Sequence, residues 1–106
     1  MDYCEHIKTI ADDIMNEREH WSEDDILDIA SQQADGSQLV IYYSQAHDFV
    51  RWLPSDVRNQ AEDSVADYFT EFSSYDEIAS RIAYFALERM IIEEVTERLE
   101  KETEAA

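Results

Sequence analysis

Along nearly its whole length this chain places apolar residues three or four positions apart, and it holds one glycine and one proline in 106 residues. That spacing lays side chains along one face of an α-helix, whereas a half-buried strand alternates with a period of two. With so few breakers, the chain is expected to form helices joined by short connections. The predicted fold is all-α, a compact bundle of about five helices with a long C-terminal helix, making one acidic helical domain over residues 1–106.

The first helix is predicted from Asp2 to Glu19, with Tyr3, Ile7, Ile10 and Ile14 at steps of four, three and four. A second opens at Ser22, where Ser22 and Asp25 resemble a capping box, and turns Ile26, Leu27, Ile29 and Ala30 inward. Gly36, in Asp35-Gly36, is expected to end it in the left-handed conformation. Residues 38–43, Gln-Leu-Val-Ile-Tyr-Tyr, taken alone suit a strand. Leu39, Tyr42, Tyr43, Ala46, Phe49, Val50 and Leu53 keep helical spacing, however, and no second strand is available to pair, so one helix is predicted from Ser37 to Leu53. After Pro54-Ser55 a fourth helix turns Val57, Ala61, Val65, Tyr68, Phe69 and Phe72 inward. Ser74 with Glu77 forms a capping-box pattern for a fifth helix, Tyr75 to about Lys101, with a core stripe of Ile78, Ile82, Phe85, Ala86, Met90, Ile91, Val95 and Leu99. The tail from Glu102 to Ala106 is expected to fray.

Charge is the second constraint. Twenty-six Asp and Glu face eight Lys and Arg, a formal charge of −18. A disordered acidic tail is excluded by the 44% hydrophobic content and the carboxylates interleaved with core positions. A folded domain with so many like charges gives up stability to self-repulsion, and solubility needs only about 2–8 charges. Direct nucleic-acid binding is not expected, because it draws on Lys and Arg at phosphates, and anionic membranes repel such a chain. No apolar run is long enough for a membrane span, no signal peptide is visible, and the lone Cys4 has no disulfide partner, so a cytoplasmic location is expected.

On the predicted helices the acids form rows. Asp63, Asp67 and Glu71 are spaced by four, and Glu93, Glu97, Glu100 and Glu104 step by four, three and four. Carboxylates one turn apart on a helix lie about 6 Å apart along its axis, a spacing coarsely like that of phosphates. Such rows also suit an ordinary solvated face. Glu23, Asp24, Asp25 and Asp28 crowd a helix start, where the macrodipole favours them. Four cations fall at ion-pair spacing: Glu77–Arg81, Arg89–Glu93, Glu94–Arg98 and Glu97–Lys101.

Catalytic and metal chemistry finds little support. Glu17 and His20 have the Glu-x-x-His spacing of di-iron bundles, but no second such motif exists. Cys4 and His6 lack further zinc ligands. Some all-α nucleotide pyrophosphohydrolases hold Mg²⁺ with clustered acids on paired helices. Asp25 with Asp28 and Glu94 with Glu97 offer such residue types, without a basic cluster for phosphates. No glycine-rich phosphate loop or nucleophile–base pair is present. Tyr42, Tyr43, Phe49 and Trp52 are expected in the core, with a dimer interface as the alternative. Trp21 is expected to staple the start of the second helix.

In size, charge and interleaved helical pattern, as in the run from Ala61 to Phe69 (Ala-Glu-Asp-Ser-Val-Ala-Asp-Tyr-Phe), the chain resembles small acidic DNA-mimic proteins of phages and mobile elements, the Ocr- and ArdA-type anti-restriction proteins and certain anti-CRISPR proteins. The resemblance implies inhibition without catalysis or cofactor, with an acidic face blocking a basic DNA- or RNA-binding site of a host defence or nucleic-acid enzyme. The residues expected to meet that partner are Asp63, Asp67, Glu71, Glu93, Glu97 and Glu100. A homodimer suits the class. The alternative is an acidic interaction module, an adaptor or immunity protein for a basic partner. A third reading is a small metal-dependent nucleotide hydrolase.

Overall fold

A computed structural model describes residues 2–17, 25–66 and 74–105. Among these residues the chain is helical and contains no strand. Its helices are α1 (Tyr3–Asn16), α2 (Asp25–Asp35), α3 (Gln38–Ile41), α4 (Tyr43–Trp52), α5 (Ser55–Ala66) and α6 (Tyr75–Ala105). The predicted all-α class and long C-terminal helix are therefore present, and α6 continues past the expected end at Lys101. The Ser22 cap, Trp21, His20 and the inward positions Tyr68, Phe69 and Phe72 lie outside the described residues.

The segment predicted as one helix from Ser37 to Leu53 is two. Tyr42 adopts an extended backbone (φ −94°, ψ 113°), ending the four-residue α3 and starting α4. A helix this short is held at both ends by side chains. The Ser37 hydroxyl accepts the Leu39 N–H at 3.2 Å, and the Ser80 hydroxyl of α6 donates to the Val40 carbonyl at 2.7 Å. Both satisfy backbone groups that an isolated helix end leaves unpaired. Gly36 does not take the left-handed conformation expected of it, for no described glycine has positive φ.

Contacts divide the chain into two units of similar length. The first comprises Met1–Gln33 and Glu88–Ala106. Its core is Ile7, Ile10, Ala11 and Ile14 of α1, Ile29 and Ala30 of α2, and Ile91 and Val95 of α6. Asp2 caps α1, its carboxylate accepting the Glu5 N–H at 3.2 Å. Leu27, expected inward, is exposed. Arg98 of α6 bonds the Asp12 and Glu94 carboxylates and the Lys8 carbonyl, tying the end of α6 to α1.

The second unit spans Ala34–Leu87. Phe49 and Leu39 fill its centre with Leu53, Ala61, Val65 and Leu87. The expected stripe on α6 omitted Leu87, Ala83 and Ala79, all buried; Ile78 and Phe85 are only half-buried. The expected Ser74 cap forms, its hydroxyl accepting the Glu77 N–H at 3.1 Å. Tyr42, Tyr43 and Trp52, expected in the core, are exposed, whereas Phe49 is wholly enclosed and stacks on the Trp52 ring at 5.8 Å. A tyrosine or tryptophan side chain is comfortable half in water, so its helical spacing does not commit it to a core.

Candidate partner-binding surface

Among the Asp and Glu side chains that the structure describes, none is buried. The carboxylates project from helices whose opposite faces make the cores, as amphipathic periodicity dictates. Of the six residues expected to meet a partner, Asp63 is exposed on α5, and Glu93, Glu97 and Glu100 are exposed on α6. Asp67 and Glu71 lie outside the described residues. Asp63 belongs to the second unit and the three glutamates to the first.

The glutamates occupy successive turns of one helix. Two are in ion pairs: Arg89 Nε lies 3.0 Å from Glu93 and Lys101 Nζ 3.2 Å from Glu97. Arg98 pairs with Glu94 at 3.1 Å. Three of the four expected local pairs thus form. Arg81 instead lies over the Tyr84 ring, 5.9 Å from its centroid. Exposed pairs of this kind contribute about 0–1 kcal/mol each, so a competing cation can displace Arg89 or Lys101 at small cost. Partial desolvation pulls the Arg98 pKa down, but hydrogen bonds and charge from Asp12 and Glu94 outweigh it and hold the group more firmly protonated than usual.

Charge is distributed unevenly between the units. Over Met1–Gln33 and Glu88–Ala106, seventeen carboxylates face five cations, a net −12; over Ala34–Leu87, nine face three, a net −6. Of the exposed large apolar side chains among the described residues, the second unit carries all but Leu27: Ile41, Tyr42, Tyr43, Trp52 and Tyr75.

The second unit also holds an arrangement absent from the expected site. His47 Nε2 lies 2.7 Å from Asp76, and the His47 ring stacks on Tyr75 at 5.0 Å. His47 and Tyr75 line a cleft of about 520 Å³ formed by α4, α5 and the start of α6. Val50, Val65, Ile78 and Ile82 supply apolar walls, and Arg51 and Glu62 stand among its polar lining. The spacing of Tyr43, His47 and Arg51 by four is visible in the sequence, but nothing there indicates that Asp76, twenty-nine residues on, meets His47.

Among the described residues no three His, Cys, Asp or Glu side chains are grouped to hold a metal ion, and no helix is long and apolar enough to cross a membrane. Comparison with protein-family models, with curated proteins and with solved structures finds no match.

Proposed function

We propose that this chain is a non-catalytic binding protein whose acidic surface occupies the basic nucleic-acid-binding site of a protein partner, taking the place of phosphates. The observation that carries this reading is the gathering of a net −12 into one unit of about half the chain, with no described carboxylate buried. Folding alone gains nothing from such crowding, since like charges repel across a small surface. A basic partner gains a steered, rapid association that salt weakens. Glu93, Glu97 and Glu100 are the residues we assign to that contact, with the Arg89 and Lys101 pairs exchanging for cations of the partner.

A second reading, an interaction module for a basic partner whose site has no connection with nucleic acid, is favoured by the exposed aromatics of the second unit. Competition separates the two. A partner retained on the immobilised chain at low salt is challenged with duplex DNA and with RNA. Release by nucleic acid at an ionic strength that alone releases nothing supports the first reading. Retention at every nucleic-acid concentration supports the second.

A further inference from the structure

The cleft of the second unit answers a requirement that charge leaves open. Carboxylates in water give on-rate and orientation more than affinity, and stable interfaces centre on an apolar or aromatic anchor in a pocket. We propose that the cleft between α4, α5 and the start of α6 receives an apolar side chain carried on a basic segment of the partner protein. This rests on the reading above that the partner is basic.

Three observations bear on the occupant. The walls given by Val50, Val65, Ile78 and Ile82 are aliphatic, and the cleft of about 520 Å³ is large enough for a leucine, methionine or aromatic side chain. The apolar surface reaches the rim and continues past it: Tyr75 of the lining is 78% exposed, and Tyr43, one turn before His47 on α4, is exposed as well. A small ligand enclosed by the cleft has no use for that extension, whereas a peptide lying across it does. The surrounding charge selects a basic peptide. Glu62, at the cleft, is exposed and stands outside every ion pair among the described residues, and Asp63 follows it. The one arginine of the lining, Arg51, has Asp48 at 3.6 Å. A second copy of the chain is a poor occupant, because it brings another −18 to the same surface.

The test uses the full chain and two synthetic peptides of equal length and positive charge. One is a Leu/Lys amphipathic helix; the other has Ser at every Leu position. Titration is followed by fluorescence anisotropy and by amide NMR shifts. The Leu/Lys peptide is expected to bind about tenfold tighter or more, as burial of one large aliphatic side chain allows. The preference should persist in about 0.5 M NaCl, where exposed charges are screened. Shifts should centre on His47, Val50 and Tyr75. Tyr75→Ala, an exposed change that circular dichroism can show to leave the helices intact, should narrow the preference, while Glu62→Gln should weaken both peptides alike. Equal, salt-sensitive binding of the two peptides overturns the cleft proposal and leaves the charge reading standing. A preference untouched by Tyr75→Ala, with shifts around Ile41 and Tyr42, also overturns it by placing the anchor elsewhere. A dimer by sedimentation whose dissociation on dilution shifts the Val50 and Tyr75 amides does the same. Binding of neither peptide removes both proposals.

Discussion

At the scale of single residues, Arg98 carries the most structure for its size. One guanidinium meets Asp12, Glu94 and the Lys8 carbonyl, and its side chain is only 24% exposed. Hydrogen bonds to charged groups contribute about 1.5–3 kcal/mol each when sheltered and less at a surface. Arg98→Ala is expected to cost about 1–2 kcal/mol, read as a fall in Tm of about 4–16 °C in a domain of this size. A variant melting with the wild type would show that Arg98 ties nothing together. His6 makes a pH prediction. Burial lowers its pKa below the ordinary 6.5, so as pH falls the unfolded chain takes the proton first. Its contribution is intact above that value, is lost as pH falls below it, and levels off beneath the lowered folded pKa. Carboxylate protonation acts over the lower part of the same range, so the useful quantity is a difference. The Tm change between about pH 7 and pH 5 should be more negative for the wild type than for His6→Gln.

At the scale of elements, the helices and their caps follow from local sequence more faithfully than the faces they bury. Ser74 before Glu77 announces the start of α6, and the cap is there. Ser74→Ala is expected to cost about 0.5–2 kcal/mol by thermal or urea unfolding. The break at Tyr42 was not legible because apolar spacing of three and four runs straight through it. One extended residue changes the direction of the chain without changing that count. The same spacing hid which apolar residues are enclosed. Phe85, Ala86 and Leu87 are consecutive, so several stripes fit α6, and the stripe through Phe85 leaves out Leu87, which is wholly buried. Leu87→Ala should therefore destabilise by about 2–5 kcal/mol, whereas Ile41→Ser at the exposed end of α3 should change stability by no more than about 0.5 kcal/mol. Equal losses at the two positions would contradict the assignment of the core. The candidate site was legible in part for a related reason. Exposed carboxylates on helices can be read from periodicity, and Glu93, Glu97 and Glu100 stand where it put them. The cleft needs α4, α5 and α6 brought together, and His47–Asp76 joins residues that no local pattern relates.

At the scale of the whole molecule, charge dominates. A net −18 on 106 residues stores repulsion that salt screens, the Debye length falling from about 30 Å at 0.01 M to about 8 Å at 0.15 M. The chain is expected to melt higher as NaCl is raised over this range, opposite to a fold held by surface ion pairs; calorimetry at fixed pH decides. The uneven partition of that charge is the stronger statement about function, and it can be tested without naming the partner. Two variants of equal charge change are compared: Glu93, Glu97 and Glu100 to Lys in the first unit, and Asp35, Asp56 and Glu77, none of which lines the cleft, to Lys in the second. Both leave the chain at −12, so a merely colloidal effect of net charge weakens them equally. The measurement is retention of basic lysate proteins on each immobilised chain across a salt gradient, after circular dichroism shows matching helicity. Loss of retention in the first variant, with the second close to wild type, is the expected result. Equal loss in both, or loss only in the second, would contradict the claim that the acidic face of the first unit is what this protein presents to its partner.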